Sequence, residues 1–367
     1  MDLGAPSSAG LAFQIEGDCV TVAPHGHGHI HDTYVTSYLR DGSQTRYILQ
    51  RINRLVFAEP TALMDNVVRV TSQIRDELVS AGADQIERRV LEIVPALDGK
   101  LLHVDGNDDC WRTFRFIEDA RTHDTARFVE QAFEAGRAFG RFEAQLADLP
   151  GPRLVETLRD LHNTPLYFAA LEQALEEDPY NRALEIRPEI AFVESRGGLL
   201  TTLLDLAASG DLPERIAHND TKINNVLIDE MSREALAVVD LDTVMPGVVL
   251  CDFGDLVRTA TSSAAEDEPD LSRVSVNLSM FEALVRGYLS SARFLNPTEI
   301  DHLTFSGWLL TIESGIRFLT DYLNGDTYFK VHRERHNLDR SRVQLKLAED
   351  IERNEGAMRR IVELAAP

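Results

Sequence analysis

The sequence predicts a two-lobed α+β fold in which a small, antiparallel, β-rich lobe precedes a larger, mainly helical lobe. Short β-type runs separated by turns dominate the first part of the chain. Segments with helical apolar spacing dominate the rest, where one polar loop between two short apolar runs interrupts them. We expect the boundary after residue 118, which gives lobes at 1–118 and 119–367.

The predicted elements follow from local pattern. The β-type runs are short and flanked by turn residues, and they lie at residues 19–24, 33–39, 46–52, 101–104 and 111–117. A helix is predicted over 60–80, because Val67, Val70 and Ile74 recur at helical spacing after Pro60. Further long helices are predicted at about 125–147, 187–209, 275–292, 299–323 and 341–364.

Composition narrows the classes of partner. The 367 residues carry a formal net charge of -23, which argues against nucleic acid and anionic membranes as partners. No apolar run is long enough for a membrane helix, and three widely spaced cysteines fit a reducing compartment. We therefore expect a cytoplasmic protein. The oligomeric state stays open, since no heptad repeat stands out.

The polar loop carries the chemistry. His218, Asp220 and Asn225 follow the H-x-D-x-x-x-x-N pattern of a kinase catalytic loop, and Asp240 ends the next apolar hairpin. Phosphoryl transfer from ATP uses one Asp as base and an Asn and a second Asp as Mg ligands. The pattern thus predicts a small-molecule kinase of protein-kinase-like fold, with Asp220 as base and magnesium on Asn225 and Asp240. An ordinary loop of Asx-turns is the alternative, which the hairpin and its Asp disfavour.

A glycine-rich turn lies between the first two predicted strands. Gly26 and Gly28 are expected to bring backbone N–H groups close to the phosphates of ATP. The alternating histidines from His25 to His31 would suit a metal, but the glycines between them argue against a rigid ligand set. A plain hairpin turn is the third interpretation.

The third strand lacks the lysine that kinase-like folds carry there. Gln50 and Arg51 follow the apolar triplet, and strand alternation lets only one of them face the cleft. We expect Gln50 to lie at the nucleotide. The missing lysine also admits a non-catalytic nucleotide-binding pseudokinase, although the complete set of Asp220, Asn225 and Asp240 favours activity.

Together these residues resemble the aminoglycoside phosphotransferase and choline kinase superfamily and, more narrowly, its N-acetylhexosamine 1-kinase branch. The branch tolerates Gln in place of the strand lysine, and it more often has Asn where this chain has His31. The similar segments run nearly end to end, at residues 28–34, 47–50, 111–118, 162–165, 218–225, 240–247, 252–255 and 317–329.

The resemblance implies an ATP- and Mg-dependent kinase of the anomeric hydroxyl of N-acetylglucosamine or N-acetylgalactosamine. It implies that Phe116, Ile117 and Glu118 form the inter-lobe hinge at the adenine. The residues that it places at the sugar are His29, Asn224, Arg317 and Tyr328. Phosphotransfer to an aminoglycoside or to choline is the alternative, but Arg317 would repel a cationic acceptor.

Some of these residues have plainer interpretations. From spacing alone, Arg317 is expected to form an intrahelical ion pair with Glu313 or Asp321, four residues away on either side. Tyr328 would be an ordinary loop aromatic. Lys222 would neutralise the transferred phosphate or pair with Asp220. The remaining acidic residues, Asp252 and Asp255, are expected to cap a helix or to brace the loop.

Overall fold

A computed structural model describes residues 4–26 and 30–366 of the chain. It has a β-rich N-terminal lobe and a mainly helical C-terminal lobe, which confirms the predicted fold class. The strands are β1 (Asp18–Pro24), β2 (Asp32–Arg40), β3 (Ser43–Arg51), β4 (Ile93–Val94), β5 (His103–Val104), β6 (Cys110–Arg115), β7 (Ala120–Arg121), β8 (Arg215–Ala217), β9 (Val226–Asp229), β10 (Ala235–Val238) and β11 (Met245–Gly247).

Most of the helices belong to the C-terminal lobe. The helices are α1 (Gly4–Gly10), α2 (Pro60–Ser80), α3 (Val129–Leu146), α4 (Thr164–Glu177), α5 (Arg187–Glu194), α6 (Thr202–Ser209), α7 (Val249–Thr261), α8 (Leu278–Ser291), α9 (Pro297–Asp301), α10 (Leu303–Leu323) and α11 (His336–Ala365). Throughout the ranges that the structure covers, every helix is too short or too polar to cross a membrane.

The N-terminal lobe is an antiparallel sheet with strand order β1-β2-β3-β6-β4, and β5 pairs with β6. The register of β3 and β6 places Gln50 directly opposite Arg112. Helix α2 covers 60–80 as predicted, and its buried face includes Val67 and Val70, which belong to one apolar cluster with Leu241 of the C-terminal lobe. The chain leaves β6 at Arg115 and enters β7, which pairs with β9 of the C-terminal lobe, so it crosses between the lobes within residues 116–119.

The helix predictions differ from the structure in two ways. The helix predicted over 187–209 is broken into α5 and α6, with a single 3-10 turn at Gly197–Leu199 between them. Two adjacent glycines at that turn explain the break, since glycine loses the most conformational freedom in a helix. Helices α4 and α7 received no bounds from the sequence. Most of α7 is buried, so the helix has no polar face that alternates with an apolar one along the sequence. The hydrophobic periodicity that reveals a surface helix is therefore missing.

Close packing of α3 against α8 forms part of the C-terminal core. Glycines lie where the two helix backbones approach each other. A Cβ added at Gly136 would lie 2.3 Å from the Leu284 carbonyl oxygen, and one at Gly287 would lie 2.0 Å from that of Phe133. These positions have no room for a side chain, so the separation of the two helices depends on them.

Gly287→Ala is expected to destabilise the protein by about 1–3 kcal/mol, because the added methyl group forces α8 away from α3. Urea unfolding would measure the change. Gly356→Ala in α11 is the matched control, since a Cβ there meets nothing within 4 Å. It is expected to stabilise the helix by about 0.5–1 kcal/mol. Equal unfolding midpoints for the two variants would contradict this account of the packing.

Candidate active site

The predicted catalytic loop rests on one buried carboxylate in the first turn of α7. Asp252 accepts a hydrogen bond from the backbone N–H of His218 at 2.6 Å and from that of Asn219 at 2.6 Å. The Thr221 hydroxyl donates to the Asp252 carbonyl at 2.5 Å. Asp252 therefore braces the loop, as one of the two sequence interpretations had it. The N-cap of α7 is Val248, so neither Asp252 nor Asp255 caps it.

His218 joins the loop to the strand that precedes Asp240. Its ring is buried against Phe139 and Phe142, with ring centroids 5.3 and 5.7 Å away. Its Nε2 lies 3.0 Å from the carbonyl oxygen of Val239, so this nitrogen donates. The backbone N–H of Val239 donates in turn to the Asn225 carbonyl at 2.9 Å. His218 thus holds the two acidic segments together instead of facing a substrate.

Asp220 and Lys222 form an ion pair, with Nζ 2.8 Å from Oδ1. Burial would raise the pKa of Asp220, but the charge of Lys222 and those of other nearby cations outweigh burial and hold that pKa below its ordinary value. Asp220 is therefore ionised at neutral pH. An ionised carboxylate at this place can accept a hydrogen bond from a hydroxyl group.

Asp240 lies beside this pair in a different electrostatic state. Its backbone is left-handed, with φ 62°, a conformation that Asp tolerates better than most residues. Burial raises the pKa of Asp240, and the carboxylates of Asp242 and Asp220 raise it further. Over residues 4–26 and 30–366, no group donates a hydrogen bond to its side chain. A carboxylate without donors is suited to a cation.

The donor set around Asp240 fits magnesium. Asn225 uses its Nδ2 to donate to the Asp220 carbonyl at 2.8 Å, and no described group donates to its Oδ1. The described residues contain no cluster of three or more His, Cys, Asp or Glu side chains suited to a metal. Magnesium in phosphotransferases needs only one or two protein oxygens together with substrate phosphates and water. Asn225 and Asp240 meet that requirement.

A second buried carboxylate follows two residues later and connects the lobes. Asp242 pairs with Arg112 of β6 through both oxygens, with Nη2 2.6 Å from Oδ2, and each residue is 2% exposed. The Nε of Arg112 donates to Gln50 Oε1 at 3.0 Å. Burial would raise the pKa of Asp242, but Arg112 and a hydrogen bond from His31 hold it well below its usual range.

Sequence reasoning assigned no role to Arg112 or Asp242. The available signal is an arginine within the apolar strand run 111–117, because a buried guanidinium needs a charged partner. The structure also decides between Gln50 and Arg51. Gln50 shares the face of Arg112, whereas Arg51 pairs with Asp32 and another carboxylate at the opposite face.

The described residues include only the first glycine of the glycine-rich turn, Gly26. Gly26 follows β1 with φ 73°, a left-handed conformation that glycine adopts without strain. Gly28 and His29 lie outside the described residues. His31, just beyond them, accepts from the backbone N–H of Asn53 at Nδ1, 3.0 Å away. Its Nε2 therefore carries the proton and donates to Asp242 Oδ2 at 2.5 Å.

The predicted hinge lies at the crossing between the lobes. The Phe116 N–H donates to the Arg46 carbonyl at 3.0 Å, and the Glu118 carboxylate pairs with Arg46. Ile117 packs against Leu236 of β10 and its neighbours. Within the described ranges, no hydrogen bond engages the backbone N–H of Ile117 or Glu118. Free main-chain donors at this crossing are what an adenine ring would need.

Arg317 does not form the intrahelical ion pair that its spacing favoured. Its guanidinium carbon lies 5.0 Å from the Tyr167 ring centroid and 5.7 Å from that of Phe329. Asp321 instead accepts from backbone N–H groups of the following turn, including that of Tyr328. Glu313 lies 2.9 Å from His162, so both sequence-predicted partners are used elsewhere, and Arg317 is a cation flanked by aromatic rings.

The other residues predicted at the sugar differ in exposure. Tyr328 is 70% exposed, and its ring contacts Phe329 with centroids 4.8 Å apart. This contact brings Tyr328 and Arg317 to one aromatic cluster. Asn224 lies within the loop, and its buried Oδ1 has no partner among the described residues. An unpartnered amide oxygen in this position is available to a ligand.

His162 connects helix α10 of the C-terminal lobe to the loop. Its Nδ1 lies 2.9 Å from Glu313 Oε1 of α10, and its Nε2 lies 3.1 Å from the Asn219 carbonyl oxygen. Both ring nitrogens face acceptors, so both must donate and the ring is an imidazolium. Burial would lower the pKa of His162, but the Glu313 carboxylate more than offsets burial and raises it.

Comparison with known proteins identifies the class. Residues 21–284 match the phosphotransferase enzyme family, APH. This match covers most of the chain, and the protein therefore belongs to that family.

Solved structures share the fold across nearly the whole chain. An aminoglycoside phosphotransferase from Alicyclobacillus acidocaldarius is 12% identical, with a TM-score of 0.65 over 98% of this chain and 97% of its own. A choline kinase from Cryptosporidium parvum is 13% identical, with a TM-score of 0.53 over 94% and 93%. The AMP-bound complex of a spectinomycin phosphotransferase is 13% identical, with a TM-score of 0.50 over 89% and 93%. At these identities the similarity shows the fold alone.

His162→Gln is expected to destabilise the protein by about 1–3 kcal/mol at low pH, because a charge-assisted hydrogen bond to Glu313 is lost. The folded-state pKa of His162 is raised, so its contribution is complete below the ordinary histidine pKa of about 6.5 and is lost as the pH rises through the folded-state pKa. Urea unfolding from about pH 6 to pH 9 would measure the free energy of unfolding of the wild-type protein and of His162→Gln.

The difference in free energy of unfolding between the wild type and His162→Gln should therefore shrink as the pH rises. His302→Gln is the control, since the Nδ1 of His302 contacts only the Thr298 carbonyl among described residues. The groups around His162 that also carry charge are Glu313 and Asp255. A difference that stays constant over this pH range would contradict the imidazolium assignment.

Proposed function

We propose that this protein is an ATP- and magnesium-dependent kinase that phosphorylates the anomeric hydroxyl of an N-acetylhexosamine, N-acetylglucosamine or N-acetylgalactosamine. One observation carries the proposal. The ionised Asp220 carboxylate lies against Lys222, next to two oxygen ligands, on Asn225 and Asp240, that accept no hydrogen bond from the described chain. An acceptor base, a cation and a magnesium site are the parts that phosphoryl transfer requires.

The nucleotide would bind between the lobes. The free backbone N–H groups of Ile117 and Glu118 support an adenine contact at the hinge, beside Phe116. Gly26, together with the neighbouring Gly28, would approach the phosphates from the turn after β1. A structurally similar phosphotransferase holds AMP, which supports a nucleotide in this fold.

The loop residues would act on the acceptor hydroxyl. Asp220 accepts a hydrogen bond from this hydroxyl, aligns its oxygen with the γ-phosphorus and takes its proton as the new oxygen–phosphorus bond forms and the bond from the γ-phosphorus to the leaving ADP breaks. Lys222 lies next to Asp220 and contributes positive charge where the phosphoryl group is transferred. Magnesium held by Asn225 and Asp240 would neutralise charge on the phosphates. Most of the rate enhancement would come from positioning and charge neutralisation.

The acceptor class follows from Arg317. A guanidinium beside the acceptor position repels the ammonium groups of aminoglycosides and choline, and it can donate hydrogen bonds to a neutral sugar. Its flanking rings, from Tyr167 and Phe329, offer the apolar surface that sugar faces contact. Asn224 with its unpartnered Oδ1, Tyr328 and His29 would complete the sugar site.

Phosphorus NMR of the product would test the acceptor class. The protein with ATP and magnesium is expected to convert N-acetylglucosamine or N-acetylgalactosamine into the sugar 1-phosphate, while kanamycin and choline remain unmodified. The reason is the positive charge of Arg317, which the proposal places at the acceptor position. Turnover on kanamycin or choline alone would contradict the sugar assignment but retain the kinase. ATP binding without transfer to any acceptor would favour the pseudokinase alternative.

Asp220→Asn is expected to lower kcat by about 10²- to 10⁴-fold, because the amide cannot accept the hydroxyl proton. Titration calorimetry should give the same dissociation constant for ADP as in the wild-type protein, since the substitution changes no group at the adenine. Asp211→Asn, at an exposed loop position, is the matched control for a charge change. Comparable kcat values in the Asp220 variant and the wild type would remove Asp220 from the role of base.

A further inference from the structure

The fold lacks a lysine on β3, yet a cation is present one strand away. Arg112 on β6 lies directly opposite Gln50 on β3 in the strand register. Side chains of such a pair share one face of the sheet. The Nε of Arg112 donates to Gln50 at 3.0 Å, while its two Nη atoms engage Asp242. The cationic position has therefore moved from β3 to β6.

The arrangement of donors shows that Arg112 acts on Asp242 and not on a phosphate. Both ends of the guanidinium fork are used by one carboxylate, and the residue is 2% exposed. A bidentate pair fixes the orientation of a carboxylate as well as its charge. Asp242 follows Asp240 by two residues, and its carbonyl accepts from the Thr157 hydroxyl at 2.8 Å. Its side chain and main chain are thus both held.

The residue that precedes β2 is bound to the same carboxylate. His31 donates from Nε2 to Asp242 Oδ2 at 2.5 Å, and its Nδ1 accepts from the Asn53 N–H. The His31 ring also packs on Phe57, with centroids 5.4 Å apart. A single carboxylate of the C-terminal lobe therefore receives donors from the central strand β6 and from the residue that precedes β2.

We propose that Arg112 is the positioning residue that replaces the strand lysine: by holding Asp242, it sets the place of Asp240 relative to the N-terminal lobe, and His31 fixes the start of β2 to the same point. The inference rests on the proposed function, since it concerns the magnesium site of that function. Hydrogen-bonding partners of metal ligands and of their neighbours control metal affinity without touching the metal.

Binding of Mn²⁺ to the protein in the presence of ADP tests the inference, with free Mn²⁺ measured by electron paramagnetic resonance. Arg112→Lys keeps the charge but loses the fork. It is expected to weaken Mn²⁺ binding by about 10- to 100-fold, the range found when such supporting partners are removed. His31→Phe keeps the ring packing on Phe57 and removes the donor. It is expected to weaken Mn²⁺ binding by a smaller factor, because Arg112 still holds Asp242.

Arg196→Lys is the matched control. Arg196 also holds a carboxylate by two bonds, with Nε 2.6 Å and Nη2 2.7 Å from the oxygens of Glu352, between a loop and α11. It is expected to change the thermal midpoint as a lost fork would, with Mn²⁺ affinity equal to wild type. This comparison separates a general loss of stability from a change at the metal site.

Two results would overturn the inference alone. One is wild-type Mn²⁺ affinity in a folded Arg112→Lys protein. The other, which decides the matter if that variant does not fold, is wild-type Mn²⁺ affinity in His31→Phe. Failure of the wild-type protein to bind Mn²⁺ with ADP would instead overturn the proposed function, and this inference with it. Mn²⁺ binding that falls in both variants, without sugar phosphorylation by the wild type, would support the inference and remove only the acceptor assignment.

Discussion

The candidate site depends on the buried carboxylate of Asp252. Two successive backbone N–H groups, of His218 and Asn219, point at its two oxygens. Asn219 can turn in this way because it adopts a left-handed backbone, with φ 63°. Burial raises the pKa of Asp252, so the carboxylate relies on these donors for its stabilisation. The direction in which Asp220 leaves the loop follows from this arrangement.

The constraint extends from the core to the loop through helix packing. A Cβ at Gly254 would lie 2.4 Å from the Ser306 carbonyl, so α7 lies against α10 at backbone contact distance. Helix α10 also carries Glu313, whose carboxylate holds His162 against the Asn219 carbonyl. The loop is thus held by α7 directly and by α10 through His162. Its position depends on two buried carboxylates, those of Asp252 and Glu313. These contacts explain why a polar segment has a defined position inside a helical lobe.

Sequence patterns predicted the elements that have a regular period and the loop that has a motif. Helix α2 was predicted at its observed bounds, because its apolar face repeats and Pro60 marks its start. Helix α7 was not delimited, since burial on most sides erases the period. Arg317 was assigned the wrong partner, because spacing along a helix cannot reveal that Glu313 is already used by a histidine 151 positions away. The pairing of Arg112 with Asp242 likewise spans 130 positions and needs the strand order β3-β6.

Moving the cation from β3 to β6 has a consequence for the phosphates. A strand lysine is a flexible point charge that can contact a phosphate while it pairs with a carboxylate. Arg112 gives both ends of its fork to Asp242, which leaves the phosphate charge to be balanced by other groups. A cation within the loop itself is Lys222, which is held among the carboxylates of Asp220, Asp255 and Asp240. Under the proposed function, positional control and charge neutralisation, which the strand lysine combines in kinase-like folds, are divided between an arginine of the first lobe and a lysine of the second.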